Sequence, residues 1–135
     1  HNYLFMGSSH EKVALDQPNR YILQWDYNQE PQTVDGKRVY DFFLRVVGDS
    51  MSGAHIHDGD LLYVKKCNDV PSGTIAVVLI NRCEVTVKKV IKKEGLLILE
   101  PANPSVDVRY YSQEEVESLP VEIIGKALYS RSDLV

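Results

Sequence analysis

The sequence predicts a mostly β fold: curled, partly barrel-like mixed sheets of short strands with at most one or two short helices. Short runs rich in aromatic and β-branched residues recur along the chain. Turn signals built on Gly, Pro, Asn and Asp separate them. Only one stretch carries a helix-start signature, and strands at close spacing with one minor helix indicate a curled-sheet domain.

Residues 1–40 are the least regular part. Within them 21–25 reads as a strand, and 28–37, which is polar and contains Pro31 and Gly36, reads as a loop. Residues 41–47 form a good buried strand that ends at Gly48. A strand over 61–65 precedes a loop at 68–73, and a strand over 74–80 runs into the turn Asn81-Arg82. Strands over 85–91, 96–100 and 106–111 follow, broken by Glu94-Gly95 and by Pro101-Ala102-Asn103-Pro104. Ser112-Gln113-Glu114-Glu115 matches a capping box, in which Ser112 accepts from the third residue's amide while Glu115 reaches back. Residues 121–129 read as a last strand. No internal repeat or low-complexity segment is visible.

With 135 residues the chain is long enough to build a core without disulfide staples, as one compact domain. Its 44% apolar and 25% charged content are ordinary for a globular protein. No run approaches the length of a membrane-spanning helix and the start lacks a signal-peptide pattern, so no membrane partner is expected. The first residue is His1 rather than Met, which predicts a fragment or processed form with residues upstream. Lys plus Arg total 15 against 19 Asp plus Glu, a net charge of −4. Phosphate backbones reward cationic surfaces, so direct nucleic-acid binding is disfavoured. The one basic run, Lys88, Lys89, Lys92 and Lys93, reads mostly as a solvated strand edge or turn. Cys67 and Cys83 stand in no CxxC arrangement; two free thiols fit a reducing cytoplasm better than a disulfide does, and both read as partly buried small residues.

Chemistry concentrates near Ser50. It follows Gly48-Asp49 at the end of a strong strand, where glycine permits a sharp turn that presents a side chain to a cleft. Free amides near residues 49–51 can stabilise an oxyanion there. Alone, Gly-Asp-Ser is an ordinary turn. A Ser–Lys pair needs a neutral amine to take the serine proton, and apolar strand neighbours around Lys88 can desolvate it and lower its pKa. Strand alternation puts Lys88 on one face with Thr86 and Val90, and Lys89 on the other with Val87 and Ile91; periodicity does not say which face meets Ser50. His55 and His57 invite two further readings, a base for Ser50 or a metal pair. No carboxylate or cysteine set completes a metal site, and no cofactor or metal is expected.

The wider pattern resolves this. Residues 43–51, then Ile56-His57-Asp58-Gly59-Asp60-Leu61-Leu62, then 73–78, Thr86-Val87-Lys88 and Leu99-Glu100-Pro101-Ala102-Asn103-Pro104 closely resemble the LexA/UmuD peptidase family over about residues 40–128. The resemblance implies a fold like the LexA C-terminal domain, with Ser50 as nucleophile and Lys88 as general base. Met51 fits the family's Ser-Met pair and, with Asp49, belongs to the cleft and oxyanion region. Asp58-Gly59-Asp60 matches a turn of structural role. Where the family often has a proline, this chain has Ser52-Gly53-Ala54-His55.

Family members mostly cut their own chain at Ala-Gly or Cys-Gly upstream of the serine, and this chain has neither dipeptide. Met6-Gly7 is the candidate scissile bond, since Tyr3-Leu4-Phe5-Met6 supplies an apolar strand able to lie in a cleft; the alternatives are a site upstream of residue 1 and a member that has lost self-cleavage. On this reading residues 1–39 are a cleavage-site and linker segment with an early strand, and residues 40–135 are a Ser–Lys peptidase and dimerisation domain. The resemblance implies the C-terminal autocleavage domain of a LexA-like or prophage repressor, cytoplasmic, inactivated by self-cleavage after DNA damage. Implied partners are a second copy, through the region around 121–129, and a RecA–single-stranded DNA filament or an anti-repressor protein. Operator DNA would be met only through an upstream domain. Two alternatives remain: a non-catalytic dimerisation or anti-repressor-binding module, and a UmuD-like polymerase accessory subunit. Signal peptidases also use a Ser–Lys pair but need a membrane anchor.

Overall fold

The computed structural model describes residues 40–132 throughout and, within residues 1–39, the backbone of five short strands. In chain order the strands are β1 (Asn2–Met6), β2 (Glu11–Leu15), β3 (Tyr21–Ile22), β4 (Thr33–Val34), β5 (Lys37–Arg38), β6 (Phe42–Val46), β7 (Leu61–Lys66), β8 (Thr74–Ile80), β9 (Glu84–Lys93), β10 (Leu96–Glu100), β11 (Arg109–Ser112) and β12 (Val121–Arg131). A single α-helix, α1 (Gln113–Ser118), and a 3₁₀ turn at Ser52–Ala54 complete the described elements. Eight strands form one sheet in the order β11-β10-β9-β8-β12-β7-β6-β3, and every ladder is antiparallel. The mostly β reading of the sequence holds.

Period-two alternation sorts the core. Phe42, Leu44 and Val46 of β6 join Leu62, Val64, Val77, Val85 and Val87 in one cluster. The intervening Phe43 points the other way, into an aromatic group with Tyr40 and Tyr63. On β8, Val77 belongs to the first cluster, while Ala76, Val78 and Ile80 belong to a third with Val90, Leu99 and Tyr111. Strands flanked by apolar side chains on both faces explain the continuous run Ile75-Ala76-Val77-Val78-Leu79-Ile80.

One strand serves both halves of the sheet. β12 pairs with β8 over Val121–Lys126 and with β7 over Gly125–Arg131, with register shifts on either side of Gly125. A glycine at the crossover lets β7 and β6 side chains close onto the bare backbone, because an added Cβ would lie 2.2 Å from Val64 Cγ1.

The reading of 106–111 as one strand is corrected: Val106 N donates to Asn103 O, which coils the start of that run, and pairing begins at Arg109. Residues 28–37, read as a loop, include the short strand β4 and the start of β5. β1 and β2 form a hairpin in the segment read as least regular. Of the strand expected over 21–25, Tyr21–Ile22 is present and the remainder lies outside the described residues. The capping box at Ser112 forms with both of its hydrogen bonds.

Burial pushes the Tyr111 and Tyr129 phenols above their ordinary value, mainly by penalising the phenolate. A phenol harder to ionise in the folded chain contributes stability below its unfolded value, about 10, that is lost as pH rises through the folded value. Thermal unfolding followed by circular dichroism should therefore give a Tm that declines above about pH 10. A Tm that climbs through that window contradicts this.

Candidate active site

Ser50 sits in a turn braced from two sides. Behind it, the Asp58-Gly59-Asp60 turn holds the end of β6. Gly59 N donates to Val46 O (2.8 Å) and Val46 N to Asp60 O (2.9 Å). Arg45 donates to Gly59 O (2.8 Å), and Gly48 N to the Asp58 carboxylate (2.8 Å). Gly48 (φ +100°) and Gly59 (φ +86°) occupy the left-handed region that these bends require. The buried Asp60 carboxylate accepts from His57 N (2.9 Å). In front, Ala102 N donates to Ser50 O (2.8 Å) and Gly53 N to Ala102 O (2.7 Å). Met51 is buried in the core beneath the turn and anchors it. Among the described residues, the amides of Ser50 and Met51 have no acceptor.

Lys88 projects from β9 directly at this turn. Its Nζ donates to Ser50 Oγ (3.0 Å), Thr86 Oγ1 (2.6 Å) and Val87 O (3.2 Å). Alternation on β9 separates the two lysines that the sequence sets side by side: Lys88 is 6% exposed and Lys89 faces solvent. Lys88 stands opposite Ala76 of β8, a small partner that leaves room for its stem.

Glu84, Thr86 and Lys88 alternate along β9 and line, with Ser50 and Asp49, a cleft of about 510 Å³. Arg109 shares this cleft, donating to the Glu84 carboxylate (2.8 Å) and lying 5.6 Å from the Tyr111 ring centroid. A larger hollow of about 850 Å³ between the β9–β10 hairpin, α1 and β12 contains neither Ser50 nor Lys88. Convergent polar groups make the smaller cleft the candidate site.

A family profile described as Peptidase S24-like matches residues 10–128. The chain belongs to the Peptidase S24-like family. It is similar to the LexA repressors of Rhodospirillum rubrum (39% identical over 75 residues, 56% of this chain and 30% of the relative) and Novosphingobium aromaticivorans (41% over 75 residues, 56% and 32%). A longer match, 38% identical over 107 residues, covers 78% of this chain and 46% of the LexA repressor of Acidiphilium cryptum. The chain thus spans less than half the length of these curated relatives.

Met6 is the last residue of β1; Gly7 lies outside the described residues. Asp49 is exposed, and its carbonyl rather than its carboxylate is engaged, accepting from Asn103 Nδ2 (3.1 Å) and Ser52 N (3.2 Å). His55 and His57 are exposed, with ring centroids 6.5 Å apart. Among the described residues no group of three His, Cys, Asp or Glu is placed to hold a metal ion, and no helix is long and apolar enough to cross a membrane. Cys67 and Cys83 are half-buried thiols.

Sequence reasoning missed Thr86, Asn103 and the Glu84–Arg109 pair as parts of the site. Thr86 was legible through alternation, two residues before Lys88 on the same face. Asn103 lies in a segment that carries a turn signal and part of the family resemblance, neither of which gives it a role, and Arg109 carried no signal.

Proposed function

We propose that this chain is a self-cleaving serine peptidase unit of a LexA-like repressor, with Ser50 as nucleophile and Lys88 as general base. The observation that carries it is the 3.0 Å contact between Ser50 Oγ and the Nζ of the buried Lys88. Neutral Lys88 takes the Ser50 proton as Oγ attacks the scissile carbonyl carbon. The Ser50 and Met51 amides stabilise the oxyanion. Lys88 returns the proton to the leaving amine as the C–N bond breaks, leaving an acyl-serine. Lys88 then deprotonates a water that hydrolyses this ester, restoring Ser50. The substrate is the chain itself, with Met6-Gly7 as the proposed bond. Intramolecular presentation gives a high effective concentration, so a modest site suffices.

Similarity to LexA repressors supports the wider role: cleavage would separate an upstream operator-binding domain from a dimerisation domain, relieving repression after DNA damage. The second copy would be met through the β12 region, and a RecA–single-stranded DNA filament or an anti-repressor protein would control cleavage, all within the cytoplasm.

Incubation of the full chain at about pH 7 and about pH 10, followed by intact mass measurement, tests this. A single cut between Met6 and Gly7 is expected, faster at the higher pH as Lys88 loses its proton, and absent in Ser50→Ala and Lys88→Ala. An intact chain at both values, with and without activated RecA filament, would leave a non-catalytic binding module as the better reading. A single cut elsewhere would move the scissile bond and retain the pair.

A further inference from the structure

The loop after β10 is built against the nucleophile turn, and the Ser50–Lys88 chemistry does not account for it. Its backbone exchanges two hydrogen bonds with that turn, Ala102 N to Ser50 O (2.8 Å) and Gly53 N to Ala102 O (2.7 Å). The Asn103 side chain adds a third contact, Nδ2 to Asp49 O (3.1 Å). The amide's orientation is determined, because Oδ1 accepts from Ser105 N (2.9 Å), which can only donate, and this turns Nδ2 towards the Asp49 carbonyl.

We propose that Asn103 is a positioning residue: by holding the Asp49 carbonyl it fixes the plane of the Asp49–Ser50 peptide. A peptide unit is planar with its C=O and N–H opposed, so a pinned carbonyl sets the direction of the Ser50 amide on the other side. It also limits rotation of the Ser50 Cα and therefore of Oγ relative to Lys88 Nζ. Oxyanion donors and nucleophiles lose rate steeply with small misplacement, so a contact outside the reacting atoms controls the rate through them. This inference rests on the reading of Ser50 as nucleophile.

Gly53 offers a second, independent handle on the same clamp. An added Cβ would lie 2.5 Å from Ala102 O, inside the clamp's own hydrogen bond, so Gly53→Ala must push the loop and Asn103 away from the turn.

The test compares first-order self-cleavage of the full chain across pH for wild type, Asn103→Asp, Asn103→Ala and Gly53→Ala, with Tm measured on each. Asn103→Asp keeps the acceptor for Ser105 N, so the loop's own turn survives, but sets an oxygen against the Asp49 carbonyl in place of a donor. Each variant should cleave about 10- to 100-fold more slowly at every pH, with an unchanged pH midpoint, while remaining folded at the assay temperature. Asn103 variants that cleave within about twofold of an active wild type overturn the inference. So does a rate loss explained by a shifted midpoint, which would place the effect on Lys88, or by a population already unfolded. A wild-type chain that does not cleave removes the peptidase reading, and this inference with it.

Discussion

Gly125→Ala is expected to lower the Tm by about 10 °C or more, since among the described glycines its added Cβ makes the shortest contact. The new Cβ would lie 2.2 Å from Val64 Cγ1 and 3.2 Å from both Lys65 O and Phe42 Cζ. Neither side chain has room to move: Val64 and Phe42 are 0% and 1% exposed in the main core cluster. Overpacking of a filled core typically costs about 1–3 kcal/mol, and a contact this short belongs at or above the top of that range. Folded domains have only about 5–15 kcal/mol in total. The position magnifies the cost, because residue 125 is where β12 passes from β8 to β7. A shift of the strand there disturbs both ladders. Val64→Ala removes the atom at 2.2 Å, so Gly125→Ala and Val64→Ala should be strongly non-additive, with the double variant more stable than the sum of the two losses predicts. A Gly125→Ala Tm within about 2 °C of wild type would show that the strand shifts freely and that the crossover is not tightly packed.

The same residue shows what the sequence made legible. Local pattern located the strands of residues 40–132 to within a few residues, because β-branched alternation and turn chemistry act over short distances. The run 121–129 was readable as a strand, and a glycine inside a strand signals a bulge or a close backbone approach. Nothing local says that the strand has different partners along its length, since that depends on β7 and β8, more than forty residues away in the chain.

The site divides in the same way. Alternation placed Thr86 and Lys88 on one face but could not choose that face; the choice came from the family pattern. The structure supplies a physical reason, a small Ala76 opposite Lys88 that lets a long side chain be buried. Asn103 was invisible as a site residue because its partner is a backbone carbonyl, and every residue offers one. The early segment was hardest to read, since its short strands carry little periodicity of their own.

Lys88→Met is expected to abolish self-cleavage and, at the same time, to stabilise the fold by about 1 kcal/mol. The two effects share one cause. Lys88 is 6% exposed, and its amine has been taken from water into a site whose partners include the Ser50 hydroxyl, the Thr86 hydroxyl and the Val87 carbonyl. Methionine has a similar length and flexibility and can follow the same path beside Ala76 without a group that seeks solvent. Against this gain stands Thr86, which is 2% exposed and loses a hydrogen-bond donor, at a cost of about 1 kcal/mol that keeps the net stabilisation modest. Catalytically there is nothing to offset: on the proposed mechanism the variant leaves Ser50 without its base, and general-base removal alone costs about 10²–10⁴-fold. Lys89→Met is the control. That side chain is exposed on the opposite face, so stability should change by less than about 0.5 kcal/mol and cleavage should continue. Denaturant unfolding and intact mass measurement on the same samples separate the outcomes. If Lys88→Met is destabilised by more than about 1 kcal/mol, the amine is chiefly a structural hydrogen-bond hub for β9 and the Ser50 turn. If it is stabilised and inactive, the chain keeps a destabilising lysine in its interior because the reaction requires one.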